Sequence, residues 1–337
     1  MIIFAAKSGS EDMQTVVQLR QLYEDYLIAN RFEQRPAGLY EPVNYIMELG
    51  GKRLRPVLTL MSYELFRPDV ERALPAAHAV ELFHNFSLVH DDIMDQAPLR
   101  RGHPTVHEHF NVSSAILSGD VMLIYVYEFL LRMSDMGCLP QLLEVFNRVA
   151  VEVCEGQQYD MDFEVRQDVK IPEYMEMIAR KTAALISGSL ELGALAAEAP
   201  EADVQHLAAF GRHIGLAFQL QDDILDTFGD PEKFGKKIGG DIIQNKKTYL
   251  ILKALEIADP HTRAELLEHM TAETEENAGK VEAVTAILQH LGIPALAEAE
   301  KRRHQQLAFD HFNAVQTPEE KKIQLRQLTE KLIGREK

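Results

Sequence analysis

Two acidic clusters of one pattern stand out in this sequence. Residues 91–95 read Asp-Asp-Ile-Met-Asp and residues 222–226 read Asp-Asp-Ile-Leu-Asp, so the clusters begin 131 positions apart. On an α-helix, residues i and i+4 lie one above the other, so Asp91 stacks with Asp95 and the second cluster repeats this arrangement. Each cluster therefore presents two stacked carboxylates, with a third carboxylate about 100° round the helix.

Carboxylates in this arrangement are suited to holding a divalent cation. Four or more of them converging across a gap repel one another strongly, and cations between them relieve the repulsion. Mg²⁺ fits because it binds one or two carboxylates, keeps several waters and takes further ligands from substrate phosphates. A single acidic cluster is usually a solvated helix end, but two clusters of identical spacing, each followed by basic residues, favour a metal site.

Basic residues collect at a few places in this acidic chain, beside glycines or inside an apolar segment. Glycines at a helix start leave backbone N–H groups exposed, which favours phosphate binding, whereas an uncompensated lysine inside an apolar helix would be costly. We therefore predict that these cations bind a diphosphate while the acidic clusters bind metal. The positions are Lys52 and Arg55 after Gly50-Gly51, Arg100 and Arg101 before Gly102, Lys181 within an apolar segment, and Lys236 and Lys246 after the second cluster.

The bulk composition limits the kinds of partner and compartment. The chain has 337 residues, of which 46% are hydrophobic, and a formal net charge of -17. This surplus of acidic residues argues against binding to nucleic acid. Only Cys138 and Cys154 are present, which suits a reducing cytosol and excludes a disulfide framework or a thiolate zinc site. Without a secretory signal or an uncharged run of membrane-spanning length, we expect a soluble cytoplasmic protein with no membrane span.

Apolar residues recur at spacings of three and four along nearly the whole chain, which predicts an all-α fold. No Ser/Gly linker or low-complexity tract divides the chain, so we expect a single domain over residues 1–337. The segments 113–135 and 172–196 are apolar on most faces and are predicted to be central helices of a bundle. The other predicted helices are 12–30, 39–50, 53–67, 72–94, 105–110, 139–159, 202–227, 245–257, 260–270, 273–291, 293–315 and 318–333.

The order and spacing of these acidic and basic motifs over residues 50–249 resemble those of the trans-isoprenyl diphosphate synthases, the polyprenyl synthase family. The resemblance implies an all-helical bundle of the isoprenoid-synthase type around a deep central cavity, assembled as a homodimer. It implies a reaction that joins C1 of an allylic diphosphate to C4 of isopentenyl diphosphate and releases pyrophosphate. The implied cofactor is Mg²⁺, with three ions in each active site when substrate is bound.

The same resemblance implies roles for individual residues. Asp91 and Asp95 would be metal ligands supported by Asp92, and Asp222 the main ligand of the second cluster, with Asp223 and Asp226 in outer or water-mediated positions. The allylic diphosphate would be held by Arg100, Lys181, Lys236 and Lys246, and the isopentenyl diphosphate by Lys52, Arg55, His84 and Arg101. Thr182 and Gln219 would lie near the reacting carbons, while Arg53, Lys237 and Lys247 are expected to face solvent.

Residues on the helix before the first cluster are expected to set the length of the product. Ser87 lies about 6 Å, one helical turn, behind Asp91, and its small side chain leaves the direct path open. Phe86 lies about 7.5 Å back and narrows the tunnel from its flank, with Phe83 deeper. In the family, one aromatic at the Phe86 position usually accompanies C20 products, so we predict geranylgeranyl diphosphate, with farnesyl diphosphate as the alternative. Both phenylalanines could instead be ordinary core residues.

Two other functions are compatible with a similar fold. A terpene cyclase also ionises an allylic diphosphate, but cyclases usually replace the second aspartate motif with an Asn, Ser and Glu metal triad. A non-catalytic regulatory subunit typically lacks one or both acidic motifs. Both motifs are intact here, and Lys52 and Arg55 are present, so a prenyltransferase that elongates its substrate is favoured.

Overall fold

The computed structural model describes residues 13–229, 239–271 and 277–334, and these residues are helical apart from connecting turns and one small hairpin. This confirms the predicted all-α fold. The helices are α1 Val16–Ala29, α2 Ala37–Glu48, α3 Leu54–Glu64, α4 Leu74–Met94, α5 Val106–His109, α6 Val112–Leu131, α7 Leu139–Val165, α8 Ile171–Ile178, α9 Ala184–Ala196, α10 Glu201–Phe228, α11 Gly240–Ile243, α12 Tyr249–Ile257, α13 Pro260–Thr271, α14 Asn277–His290, α15 Ile293–Ala314 and α16 Glu319–Ile333. Short 3₁₀ turns cover Val70–Ala73 and Ser134–Met136.

Helix α9 lies at the centre of the bundle, as predicted. It buries 11 of its 13 residues and packs against α3, α7 and α10. Small residues make this close packing possible, because a Cβ on Gly193 would lie 2.1 Å from the backbone oxygen of Thr59. Helix α10 contributes side chains to both hydrophobic cores of the bundle, including Phe210 in one and Leu220 in the other.

The prediction of a central position is wrong for α6 within a single chain. One face of α6 packs against α2 and α4, but Leu117, Ile124 and Leu131 on its outer side are 58%, 61% and 49% exposed. Among the helices that the structure describes, α6 is long and apolar enough by length and composition to cross a membrane. This is weak evidence for a span, because helices that pack in the core of globular proteins pass the same test.

A two-stranded hairpin follows the first acidic cluster, where the sequence predicted only a break. Strand β1 (Leu99–Arg100) pairs with β2 (His103–Pro104), and the two residues between them, Arg101 and Gly102, both have positive φ. Two-residue hairpin turns require this backbone conformation. In this hairpin the Arg100 side chain extends towards α4, whereas the Arg101 side chain extends towards the residues before α3.

The predicted helix 172–196 is interrupted by a π-helical turn at Ala179–Ala183, between α8 and α9. Such one-turn bulges are rare and often occur at functional sites. This turn carries Lys181 and Thr182, so it changes the direction in which two of the predicted site residues point.

Helix α10, which carries the second acidic cluster, is held by α15 through a row of histidines. The Nδ1 atoms of His206 and His311 lie 3.1 Å apart, and those of His213 and His304 lie 3.0 Å apart. Burial lowers the pKa of His213 to about 4, and the neighbouring His304 and His311, with Arg303 and Arg212, act in the same direction. The pKa of His304 is also lowered, chiefly by burial and by Arg303, although Glu300 opposes the shift.

Acid is therefore expected to weaken the packing of α10 on α15. Unfolded histidine has a pKa of about 6.5, so below this pH the unfolded chain binds a proton that folded His213 does not, and stability falls between about pH 6.5 and pH 4. The unfolding free energy of the wild-type protein should be lower at pH 5 than at pH 7. We expect this drop to be about 1 kcal/mol smaller in His213→Gln, a value reduced to allow for the partial exposure of the His213 side chain. Urea unfolding followed by circular dichroism at both pH values measures this, and an equal loss in wild type and variant would contradict it.

Candidate active site

Both acidic clusters border one polar cavity of about 440 Å³. Asp95 at the end of α4 and Asp223 on α10 line it from two sides. Lys181, Thr182 and Gln219 line it as well, together with the segment 244–248 between α11 and α12. The two clusters, distant in sequence, therefore meet at a common space.

In the first cluster the three carboxylates have different environments. Asp91 accepts a hydrogen bond from Lys181 Nζ at 3.3 Å. Asp92 is 1% exposed, and Nε and Nη2 of Arg100 contact its carboxylate at 2.5–2.9 Å. Burial raises the pKa of Asp92, while Arg100 opposes this shift. Asp92 thus fixes the side chain of Arg100, which lies 3.8 Å from Asp91.

In the second cluster Asp223 is buried in a chain of hydrogen bonds. The Tyr174 hydroxyl donates to one of its oxygens, and Gln219 Nε2 donates to the other at 3.1 Å. Thr182 Oγ1 donates to Gln219 Oε1 at 3.0 Å, so the two residues predicted near the reacting carbons are in direct contact. Burial raises the pKa of Asp223 to about 8, and the Asp241 carboxylate adds to the shift.

Asp226, the last residue of the second cluster, accepts hydrogen bonds from residues at the start of α11. Its side chain accepts a hydrogen bond from the backbone N–H of Asp241 at 2.9 Å, and its backbone oxygen accepts one from Gly239 at 2.7 Å. Asp222 lies on the same helix, one residue before Asp223. The predicted ligand Lys236 lies outside the described residues.

Lys181 bridges α4 and α7. Its Nζ donates to Asp160 at 2.6 Å and to Asp91 at 3.3 Å. Although burial disfavours its charge, Asp160 and Asp91 raise the pKa of Lys181 above its ordinary value. The π-helical turn reaches this position because α7 has Gly156 at the contact, where a Cβ would lie 2.2 Å from the backbone nitrogen of Lys181.

The basic residues near α3 form a separate cluster. Arg55 Nη1 lies 3.3 Å from His84 Nε2, and Arg101 donates to the backbone oxygen of Gly50. Burial lowers the pKa of Arg55 to about 10, with Arg101 adding to the shift, and burial with Arg55 and Arg101 also lowers the pKa of His84. Cations that destabilise one another in this way favour a bound anion. Lys52 lies next to this cluster, in the turn before α3.

The positions of Arg53 and Lys247 differ from the prediction that both residues face solvent. Arg53 was predicted to face solvent, but it is 5% exposed and forms an ion pair with buried Glu81 at 2.8 Å. Its left-handed backbone, with φ of 50°, turns the side chain inward from the start of α3. Lys247 lines the polar cavity, and its Nζ donates to the backbone oxygen of Glu164 at 3.1 Å. Lys246 also lines the cavity, 3.7 Å from Asp241.

A second cavity of about 280 Å³ lies between α4 and α7 and is mainly apolar. Phe86 and Ser87 line it, together with His90, Met161 and Leu185. Lys181 and Thr182 border both cavities, so the apolar cavity begins where the polar one ends.

Phe86 and Phe83, the two aromatic residues among those predicted to set the chain length, have different surroundings. The Phe86 ring packs edge-to-face against His90, with 4.7 Å between centroids, and forms part of the wall of the apolar cavity. Phe83 is fully buried, with Phe86 and Phe146 at 5.5 and 5.3 Å, and supports that wall from behind.

Among the residues of the polar cavity that sequence reasoning missed, Asp160, Asp241 and Tyr174 make polar contacts with predicted site residues. Asp241 follows a Gly-Gly pair beside basic residues, a signal that could have been used. Asp160 lies one helical turn after Gly156, but only the tertiary contact with Lys181 reveals its role. Tyr174 carries no signal in the sequence, because an aromatic residue in an apolar helix predicts only packing.

The donor set of the polar cavity suits a hard divalent cation. Asp95 and Asp160 line this cavity beside Lys181, and Asp91, which lines the neighbouring apolar cavity, also contacts Lys181. Burial and Asp241 hold the pKa of Asp223 far above its ordinary value, so further positive charge is favoured. Among the described residues, no three or more His, Cys, Asp or Glu side chains are grouped closely enough to hold a metal by themselves. This arrangement fits an ion that takes part of its ligands from water and substrate phosphates.

Comparison with known proteins gives consistent results. A family model described as polyprenyl synthetase matches residues 36–288. The chain is 43% identical over 230 residues to a short chain isoprenyl diphosphate synthase of Methanocaldococcus jannaschii, covering 68% of this chain and 70% of that protein. It is 44% identical over 222 residues to a geranylgeranyl diphosphate synthase of Sulfolobus acidocaldarius, covering 65% and 67%. A crystal structure of a geranylgeranyl pyrophosphate synthase superposes with a TM-score of 0.91 at 44% identity, over 96% of this chain and 99% of that one.

Proposed function

Because the chain belongs to the polyprenyl synthetase family and is a prenyltransferase, we propose that it condenses an allylic diphosphate with isopentenyl diphosphate to make geranylgeranyl diphosphate. The observation that carries this proposal is a pair of adjacent cavities. A polar space between two acidic clusters shares Lys181 and Thr182 with an apolar space, which suits a molecule with a diphosphate head and a hydrocarbon tail.

The head of the allylic substrate would lie in the polar cavity. Lys181 and Lys246 supply positive charge there, Arg100 lies nearby at 3.8 Å from Asp91, and Lys236 is proposed to join them. Asp91, Asp95, Asp222 and Asp226 would hold Mg²⁺ ions, which when bound neutralise the charge that develops on the departing pyrophosphate. We propose three ions in each site when substrate is bound, with Asp92 and Asp223 as supporting acids.

The reacting carbons would lie beside Thr182 and Gln219. Breaking the C1–O bond leaves an allylic cation, and the neutral oxygens of these two side chains face it without forming the bond that a carboxylate would form. The double bond of isopentenyl diphosphate attacks C1 through its C4, and the new tertiary cation then loses a proton to form the lengthened allylic product. The released pyrophosphate lies nearby and is the proposed acceptor of that proton.

The second substrate would bind at the basic cluster beside α3. Arg55, His84 and Arg101 are close together there, and Lys52 is adjacent in the chain. His84 with a lowered pKa is neutral near pH 7 and presents either a donor or an acceptor, while the arginines carry the charge that pairs with a diphosphate. Arg55 and His84 also border the apolar cavity, so this substrate would lie next to the allylic carbon.

The proposed product has 20 carbons because the small Ser87 and the aromatic Phe86 both line the apolar cavity, the combination that the family resemblance associates with C20 products. Incubation with labelled isopentenyl diphosphate, Mg²⁺ and each of dimethylallyl, geranyl and farnesyl diphosphate tests this, with product length as the readout. Farnesyl diphosphate as the end product would instead identify a C15 synthase. A cyclic hydrocarbon from farnesyl diphosphate alone would indicate a cyclase, and no turnover of any primer would indicate a regulatory subunit.

Phe86→Ala is expected to lengthen the product beyond 20 carbons, because it removes the ring that narrows the apolar cavity. The rate of the first condensation should change little, since Phe86 lies a full turn or more from the aspartates. Chromatography of the dephosphorylated products measures the length. Phe83→Leu is the matched control: it alters the support behind the wall and should shift the product less, and an unchanged profile in Phe86→Ala would exclude Phe86 as the limit.

We also propose that the protein works as a cytoplasmic homodimer, each chain being a single domain over residues 1–337. The exposed apolar side chains of α6, such as Leu117 and Ile124, are the proposed contact with a second copy. Helix α10 joins both hydrophobic cores, which supports one domain. Both cysteines are free thiols, which suits a reducing compartment.

A further inference from the structure

Lys280, on α14, is a buried lysine outside every motif identified in the sequence. It is 7% exposed, although it belongs to a helix on the periphery of the bundle. Its Nζ donates to the side-chain oxygen of Asn245 at 2.6 Å and to the backbone oxygen of Met270 at 3.1 Å. One ammonium group therefore connects α14, the end of α13 and the segment 244–248.

These contacts explain how a lysine is accommodated at a buried position. Burying an ammonium group is costly unless it is hydrogen-bonded, and burial lowers the pKa of Lys280. Met270 lies in the last turn of α13, where free carbonyl groups and the helix dipole favour a cation. The short contact with Asn245 is a charge-assisted hydrogen bond, which is stronger than a neutral one.

Asn245 holds an uncommon backbone conformation at a functional position. Its φ is 57°, in the left-handed region that asparagine adopts more readily than most residues. The next residue, Lys246, lines the polar cavity, and its backbone N–H donates to the backbone oxygen of Asp241 at 2.9 Å. The direction of the Lys246 side chain therefore depends on how the chain turns at Asn245.

We propose that Lys280 is a positioning residue, which fixes Asn245 so that Lys246 points into the polar cavity and binds the diphosphate of the allylic substrate. The proposal rests on the function proposed above, because it takes Lys246 as a diphosphate ligand. Lys280 acts from outside the cavity: it is not among the residues that line it, and its contact with the segment passes through one side chain.

Two single variants and their combination test whether Lys280 acts on Lys246 through Asn245. Lys280→Met removes the donor, and Asn245→Gly removes the acceptor while glycine still adopts the left-handed backbone freely. Each is expected to raise KM for the allylic diphosphate about tenfold and to weaken binding of pyrophosphate with Mg²⁺ by a similar factor, with little change in kcat or in KM for isopentenyl diphosphate. Because both act through one hydrogen bond, the double variant should be no worse than either single variant.

A matched control separates positioning from general stability. Lys322 on α16 is also buried, at 2% exposed, and its Nζ donates to Glu319 at 2.9 Å, away from both cavities. Lys322→Met is expected to lower the melting temperature without changing KM. If Lys280→Met behaves in the same way, or if its effect on KM adds fully to that of Asn245→Gly, the proposal is wrong. If Lys280→Met does not fold, Asn245→Gly still tests the proposal.

Lys246→Ala distinguishes a failure of this inference from a failure of the proposed function. If Lys246→Ala weakens pyrophosphate binding but Lys280→Met and Asn245→Gly do not, Lys246 is a ligand that needs no help from Lys280, and only the inference fails. If Lys246→Ala leaves pyrophosphate binding unchanged, Lys246 is not a diphosphate ligand, and the assignment on which the inference rests is wrong.

Discussion

Asp91→Ala and Asp222→Ala should each lower kcat by at least about a thousandfold while leaving the protein folded. Stabilisation of charge at a departing phosphate by a bound metal contributes several kcal/mol, and each 1.36 kcal/mol corresponds to about a factor of ten in rate. Removing one carboxylate from a repulsive cluster relieves repulsion in the metal-free protein, so the fold should not suffer. For Asp91, the Lys181 ammonium group keeps its shorter contact with Asp160 at 2.6 Å.

The measurements are kcat at saturating substrates, the Mg²⁺ concentration that gives half-maximal activity, and the melting temperature. Asp310→Ala is a matched control, because Asp310 is an exposed acid on α15, away from both cavities, whose carboxylate accepts a hydrogen bond from the Gln306 side chain. It should leave kcat unchanged. If either aspartate variant lost its fold, that carboxylate would be structural. If it kept its rate and its Mg²⁺ dependence, that carboxylate would not be a metal ligand.

Gly156→Ala is expected to lower kcat about a hundredfold and to destabilise the fold by about 1–3 kcal/mol. Alanine is the better helix former by about 1 kcal/mol, so helix propensity alone predicts the opposite sign for stability. The added methyl group would lie 2.2 Å from the nitrogen and 2.6 Å from the Cα of Lys181. These are backbone atoms that cannot rotate away, so α7 and the π-helical turn must separate, which displaces Lys181 and Thr182 together.

Gly38→Ala is the control for this variant. Gly38 also lies in a helix, α2, and no heavy atom would come within 4 Å of an added Cβ. It should keep full activity and be as stable as wild type or slightly more so. Kinetics and thermal unfolding of the two variants give the comparison, and a Gly156→Ala enzyme with a near-normal kcat would show that the contact is adaptable.

The helices and the two acidic clusters could be predicted because they depend on local spacing. Periodicity of 3.6 residues marks α4 and α10, and each cluster lies within the last turns of its helix, so the stacked carboxylates follow from helix geometry. The family resemblance then indicates that the clusters face a common cavity. The predicted ends of α7 and α12 differ from the observed ends by several residues, because tertiary packing decides where a helix frays.

Features that arise from contacts between distant segments could not be predicted. The buried pair of Arg53 and Glu81 depends on a left-handed residue at the start of α3, and no local pattern marks it. The π-helical turn at Ala179–Ala183 reads as ordinary helix in the sequence, since its cause is the approach of α7 at Gly156. Tyr174 and Asp160 become site residues only through such long-range contacts.

Lys181 and Thr182 line both cavities, which has a consequence for repeated rounds of the proposed synthesis. In the proposed reaction, the diphosphate end of each intermediate returns to the polar cavity after an addition, while the hydrocarbon tail extends one isoprene unit further into the apolar cavity. Product length would then depend on the distance from Lys181 to the far wall of the apolar cavity, and not on the number of reactions. Under this proposal, changes near Phe86 are expected to alter product length, whereas changes near Lys181 are expected to alter the rate.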